Sequence, residues 1–211
     1  MNWWQDDMPF AVSQDAPWQV LAHLGDIVRE AGERLGYPQP IEGVWIASSA
    51  RVASSAVILP PCVVLEDATV GEWAYLRGNC WIGAGATVGH AVEVKNSVFF
   101  EASVAAHYNY VGDSLLGAGA HLGAGAILSN LRLDKRTVKT VWNDTPQDTC
   151  LRKLGALVGR GVEIGCNAVL NPGTVVEPYA YILPLTRAKG YIKKGGSSCE
   201  GAPLDPPVWR R

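Results

Sequence analysis

An aliphatic residue returns every six positions along most of this chain. From Ile46 it recurs at Val52, Ile58, Val64, Val70, Leu76, Ile82, Val88 and Val94, and Phe100 continues the series. Four positions after each of the first seven stands a small residue: Ala50, Ala56, Cys62, Ala68, Ala74, Cys80 and Ala86. Two residues per hexad therefore point inward, with glycine and polar residues between them. That pattern is the signature of a parallel β-helix in which each hexad is a short strand plus a turn. Small side chains are required where the chain bends and neighbouring coils stack, because a large one would force the coils apart. Three hexads close one triangular coil of 18 residues. The phase is lost between Phe100 and Val111, resumes as Val111-Gly112, Leu116-Gly117 and Leu122-Gly123, and returns at Val158, Ile164, Leu170, Val176 and Ile182. Where it breaks, something other than stacking is being served.

The flanks divide the chain into an N-terminal extension (1–43), the coil domain (44–190) and a flexible tail (191–211) marked by Gly195-Gly196-Ser197-Ser198. Within the extension, Trp18, Leu21, Leu24, Ile27, Val28, Ala31 and Leu35 form one helical stripe, with Asp15 as cap, Pro17 in the first turn and Gly36 at the end. A helix this short must dock its apolar face, most simply as a lid over the first open coil. Residues 131–153 interrupt the repeat with charges and a turn at Asn143-Asp144-Thr145-Pro146, an excursion arm of hairpin type.

Composition narrows the function classes. The 211 residues carry 18 Lys plus Arg against 20 Asp plus Glu, a net charge of -2, without the basic surface that a nucleic-acid or anionic-membrane partner needs. Ser114 to Leu131 is uncharged and long enough to span a bilayer, but its frequent glycines, His121 and Asn130 argue against that. The N-terminus has two acids and no basic residue ahead of its apolar content, so a cytoplasmic protein without a secretory leader is expected. Cys62, Cys80, Cys150, Cys166 and Cys199 include no CxxC pair and read as reduced thiols; Cys62 and Cys80, one coil apart in the small inward slot, read as buried packing residues.

Four segments carry a resemblance: Tyr75-Leu76-Arg77-Gly78, Val92-Glu93-Val94-Lys95-Asn96, His107-Tyr108-Asn109-Tyr110-Val111-Gly112-Asp113, and Leu122-Gly123-Ala124-Gly125 running to Ser129-Asn130. With them, residues 44–190 resemble the left-handed β-helix acyltransferases of the hexapeptide class. The similarity is to the acetyltransferase half of the bifunctional glucosamine-1-phosphate acetyltransferase and N-acetylglucosamine-1-phosphate uridyltransferase, and to single-domain relatives that keep a Pro-Trp helix and Cys166-Asn167 with Asn171-Pro172-Gly173-Thr174. The resemblance implies an all-β repeat fold, acetyl-coenzyme A as co-substrate with no structural metal, an amino-sugar phosphate or nucleotide sugar as acceptor, a place in UDP-N-acetylglucosamine biosynthesis, and a homotrimer. By the same resemblance His107 is the general base and Asn130 a catalytic-centre amide. Arg77, Lys95 and Tyr110 hold the sugar phosphate, and His121 stands where a substrate asparagine is expected. Ala124, Lys135, Arg136 and Cys166 contact the coenzyme, Cys166 in place of a serine. After the LGAG turn the family's Asn-Tyr-Asp-Gly is here Asn130-Leu131-Arg132-Leu133.

The repeat arithmetic agrees with these roles. Arg77, Lys95 and His107 each follow an inward slot, at Leu76, Val94 and Ala106, so strand alternation turns them outward. Arg77 and Lys95 are 18 apart and stack on one face, as a phosphate requires, whereas His107 lies twelve residues further on, around a corner. One prism cannot easily bring all three to one ligand; the face of one subunit against the corner of another can. An imidazole, titrating at ~6.5, suits removal of the amine proton at neutral pH. Backbone N–H groups around Leu122 to Gly125 are expected to receive the oxyanion.

Two other readings stay open. One is a non-catalytic sugar-phosphate-binding or nucleotide-sugar-binding trimer. The other is a γ-type zinc carbonic anhydrase, which needs three converging histidines from His23, His90, His107 and His121. No phosphate loop and no βαβ unit precede the coils, so the uridyltransferase half is absent from these residues, and a separate nucleotidyltransferase chain becomes a candidate partner.

Overall fold

In a computed structural model the described residues are Phe10 and 16–195. Asp15, Cys199 and tail residues 196–211 lie outside them. The chain is a parallel β-solenoid of about eight turns. Strands from successive coils pair into three faces. Face A has eight strands, from Val44–Ile46 to Tyr191–Ile192; face B has seven, from Arg51–Val52 to Tyr181–Ile182; face C has seven, from Val57–Ile58 to Arg187–Ala188.

The hexad pattern fixes the interior. Ile58, Val64, Val70, Leu76, Ile82, Val88 and Val94 fill it together with Ala68, Ala74 and Ala86. Cys62 and Cys80 are fully buried register partners and free thiols. Burial pushes the Cys80 thiol up to about 12 and Cys62 well above its usual range.

Two register details differ from the sequence reading. Ile82 pairs with Phe99, a step of 17, so Phe99 and not Phe100 takes the inward slot. Likewise Ala105, not Ala106, pairs with Val88 inside. With one residue missing from the turn, the strand that follows is offset by one from the continuous six-residue count, and the residue counted as inward faces out. Phe100 is accordingly buried in the outer cluster on face A.

That outer cluster also corrects the position of the helix. A short 3₁₀ turn, Pro17–Gln19, leads into helix Val20–Leu35, closed by Gly36 in the left-handed conformation with its N–H on Gly32 O. The helix lies along the outside of face A, against Trp45, Val63 and Trp81, instead of capping the first coil. The open end keeps Val52 and Val57 at 38% and 50% exposure. The outward positions of face A explain the choice: Trp45, Val63, Trp81, Val98, Leu115, Leu157 and Val175 form a continuous apolar strip, which the helix and the arm together remove from water.

The arm forms the antiparallel hairpin Lys139–Trp142 with Thr145–Asp148, turning at Asn143-Asp144 with φ of 50° and 58°. It folds back onto face A beside the helix. Val138 and Trp142 are buried there, Trp142 meets Trp18 edge-on at 6.3 Å, and Thr140 Oγ1 donates to Gly173 O at 2.9 Å. Leu131 bridges Lys153 at the neck of the arm.

Candidate functional site

The departures from the repeat fall at one edge of the prism. From face C to face A the inward slots step by six at Leu76–Ile82 but by five at Val94–Phe99 and again at Val111–Leu116. At the next passage of the same edge the whole arm is inserted. The two shortened corners place Asn96 and Asp113 at φ 48°, a left-handed conformation that Asn and Asp adopt more readily than other side chains. Behind them Ser97 and Ser114 replace the cysteines of the inward column. Their hydroxyls donate to Lys95 O and Gly112 O at 2.8 Å.

Asn96, Asp113 and Asn130, one from each altered corner, meet. Asp113 is a buried carboxylate, its side chain 6% exposed. It accepts from Lys95 Nζ at 3.2 Å, from Asn96 Nδ2 at 2.9 Å and from Asn130 Nδ2. Asn130 Nδ2 also donates to Tyr110 Oη at 3.0 Å. Asn96 Nδ2 reaches Leu21 O of the helix at 3.1 Å, which ties the outer cover to this cluster. A buried carboxylate is tolerable only with such compensation, and here it holds an ammonium and two amides in fixed places. Burial raises the Tyr110 phenol pKa, against the opposing Asn130 contact, so the phenol stays protonated at neutral pH. The backbone of Gly112 passes beneath: a Cβ there would stand 2.5 Å from Asn130 Nδ2 and 2.6 Å from Tyr110 Oη.

Arg77 and Lys95 lie one coil apart as the spacing requires, but each is paired with an acid. Arg77 Nη1 bonds Glu93 Oε1 at 2.7 Å, with its guanidinium 5.9 Å over Tyr75.

His107 is exposed at a different edge, between faces B and C. Asn109 sets that corner: its side chain accepts the His107 N–H at 3.1 Å and donates to Gly123 O at 2.8 Å. Ala124 and Cys166 occupy the same edge on later coils, where Gly125 N–H bonds His107 O and Asn167 N–H bonds Ala124 O. The Gly123 and Gly125 amides are spent on Ile164 O and His107 O, so these two, expected as oxyanion donors, are not available as such. Lys135 and Arg136 sit exposed in the loop that follows the other edge. Within one chain, therefore, His107 is not brought to Asn130, nor Lys135 and Arg136 to Cys166.

His121 stands on face B with Nδ1 2.8 Å from Glu163 Oε2. The pair borders a groove of about 380 Å³ that also includes Gly123, Cys166, Tyr181 and Pro184.

Sequence reasoning assigned no role to Asp113, Asn96, Glu93 or Glu163. The first three lie inside the motifs quoted above. For Asp113 and Asn96 the five-residue steps were the available signal. Glu163 follows the arm, 42 residues from His121, and no spacing pointed to it. Among the described residues no group of three or more His, Cys, Asp or Glu is placed to hold a metal ion, and no helix is long and apolar enough to cross a membrane.

The family model described as GMPPB C-terminal domain matches residues 58–180. The chain is 32% identical over 188 residues to a bifunctional sugar-1-phosphate nucleotidylyltransferase/acetyltransferase of Sulfurisphaera tokodaii, covering 83% of this chain and 46% of that protein. It is 31% identical to the bifunctional protein GlmU of Carboxydothermus hydrogenoformans over 72% of this chain and 32% of that one. It thus spans half or less of the length of these relatives. Among solved structures, the acetyltransferase domain of PglB from Neisseria gonorrhoeae in complex with acetyl coenzyme A is 21% identical, over 80% of this chain and 58% of that one, with a TM-score of 0.33.

Proposed function

Because the chain belongs to the hexapeptide-repeat β-helix acetyltransferases, we propose that it moves an acetyl group from acetyl-coenzyme A to the amine of an amino-sugar phosphate of the glucosamine-1-phosphate type or of a nucleotide sugar. The observation that carries this reading is the Lys95–Asp113–Asn130–Tyr110 cluster, a preorganised hydrogen-bonded set in which the Lys95 ammonium and the Tyr110 hydroxyl keep donor capacity for an acceptor. The amine nitrogen attacks the thioester carbon while His107 takes its proton. The tetrahedral intermediate collapses with C–S cleavage, the thiolate is protonated, and the products are the N-acetyl sugar and free coenzyme A. His107 and Asn130 occupy different edges of one prism, so the reading includes a homotrimer in which one subunit's His107 faces another's Asn130. A mass of three chains in light scattering is the expected result, and a monomer at micromolar concentration would remove the shared site.

His121 supports a second reading of the base. A carboxylate bonded to one imidazole nitrogen fixes the ring and leaves the other nitrogen as acceptor, which is the arrangement a general base needs.

The test is release of free thiol with acetyl-coenzyme A and glucosamine-1-phosphate together. Release that needs both ligands supports acetyl transfer. Binding without release supports a non-catalytic sugar-phosphate protein. His107→Ala is expected to lower turnover by about 10²–10⁴-fold. An unchanged rate in that variant with collapse in His121→Asn assigns the base to the His121–Glu163 pair.

A further inference from the structure

Resting on the acceptor site assigned above, we propose that the acceptor is a nucleotide sugar, and that the exposed apolar patch on the first coils of face C takes its nucleobase. On the outward side of face C, alternation about the inward residues Ile58, Leu76 and Val94 leaves two columns of side chains. One runs Val57, Tyr75, Glu93 and Tyr110 in direct register. The other runs Leu59, Arg77 and Lys95, with the Leu59 N–H on Leu76 O and the Arg77 N–H on Val94 O, both at 2.8 Å.

The order of groups along these columns carries the assignment. Tyr110 stands at one end, bonded to Asn130 at 3.0 Å. One coil down, about 4.8 Å, is the Lys95 ammonium; one further is the Arg77 guanidinium beside Tyr75; the last coil holds Leu59 and Val57. A nucleotide sugar presents its parts in the same sequence: sugar, two phosphates, nucleoside. A sugar monophosphate ends at the cations and leaves the apolar residues uncovered. Those residues are Val57, Leu59 and Tyr75, at 50, 39 and 38% exposure, and Trp73 continues them at the corner that opens the Tyr75 strand. The helix and the arm cover face A and not this surface. An aromatic ring flanked by aliphatic side chains is a platform on which any base can stack.

Arg77 links the platform to the phosphate site. A guanidinium has N–H donors on three nitrogens, and Arg77 spends one of these nitrogens on Glu93, so donors remain for a phosphate. Its guanidinium carbon is 5.9 Å from the centre of the Tyr75 ring, so the phosphate and the base fall at adjoining positions, as they do within one nucleotide. Glu93, between Tyr75 and Tyr110 in register, offers its second carboxylate oxygen to a ribose hydroxyl.

Calorimetric titration tests this without turnover, with coenzyme A present to fill its own nucleotide site. The probes are UDP, GDP, ADP, CDP and dTDP, with glucosamine-1-phosphate as the ligand that lacks a base, on the unmodified protein and on Y75A and L59S. The expected result is binding of at least one nucleoside diphosphate that weakens about 10-fold in Y75A, the scale of base–aromatic stacking, and by less in L59S. Glucosamine-1-phosphate is expected to keep its unmodified affinity in both variants. No binding of any of the nucleotides, unchanged nucleotide affinity in both variants, or an equal loss for glucosamine-1-phosphate would overturn the assignment. So would a fall in the light-scattering mass of either variant, which would give the patch to a second copy of this chain. Both side chains are exposed, so both variants are expected to melt with the unmodified protein. Tyr75-dependent nucleotide binding without any thiol release would count against acetyl transfer and leave the subsite standing. Thiol release with glucosamine-1-phosphate and no nucleotide binding would do the reverse.

Discussion

The coils from Val44 to Val94 and the two that follow share one interior and differ at one edge. In the first set every register step is 18 and the corner from face C to face A is plain: Gly78 and Asn79 turn the chain. In the second set the step is 17, and the same edge gathers Asn96, Asp113 and, on the next passage, Asn130 with the arm. Removing one residue does not disturb the inward slots, because the missing residue comes from the turn. It does change where the turn's side chains point, and polar groups converge there. Regular stacking makes a stable scaffold, and the proposed function places the specific chemistry at the irregular edge.

The outer cover serves both regions, so breaking it should erase the distinction by stability alone. Leu24→Ala removes a fully buried helix residue and should cost about 2–5 kcal/mol in denaturant unfolding, with turnover per folded molecule retained. Loss of turnover without loss of stability would mean that the helix contributes to the site through more than packing.

Gly112→Ala sharpens the contrast at the irregular edge. The new Cβ must displace the Asn130 amide or the Tyr110 phenol, so turnover should fall by roughly 10²-fold for a displacement of about 1 Å, with a smaller effect on melting. In the regular coils, Cys62→Ala should shift melting and leave turnover alone.

Thiol labelling separates interior from surface directly. In a Cys199→Ser background at pH 8, Cys150 and Cys166 should react readily, while Cys62 and Cys80 should react only after unfolding, because burial holds their thiols protonated and inaccessible.

The smallest expected effect belongs to the regular end, where the Tyr37 phenol donates to Glu66. Burial, then Glu66, pushes Tyr37 up to about 12, and the contact holds Glu66 below its usual value of 4.5. The Tyr37 contribution is complete below pH 10 and is lost as pH rises through about 12. The Glu66 contribution is complete above pH 4.5 and is lost as pH falls below it. Tyr37→Phe should flatten both limbs of the stability–pH curve slightly, since the carboxylate is largely solvated.

Much of this was legible in sequence. The six-residue period identified the solenoid, its inward residues and the buried cysteines, and the Asn143-Asp144 turn located the hairpin. Phe99 and Ala105 were displaced by one because a continuous period was assumed across a five-residue step. The docking surface of the helix was missed because Trp45, Val63 and Trp81 occupy outward positions that the inward series passes over, although their apolar character was there to be read. Lys95, Tyr110 and Asn130 were named and do meet, yet the carboxylate that joins them was seen only as the last letter of a motif. Glu163 depends on how the arm is spliced into the stack, which spacing does not encode.

The central claim is that the altered edge, through Asp113, is the functional centre and not a tolerated irregularity. Asp113→Asn tests it most directly, since it keeps size and shape, removes the charge opposite Lys95 and turns an NH2 donor toward one of the two amide donors, Asn96 or Asn130. Steady-state thiol release, measured beside the melting curve of the same sample, is predicted to fall by at least roughly 10²-fold while the fold survives. Turnover equal to that of the unmodified protein, in a folded Asp113→Asn variant, would contradict the account.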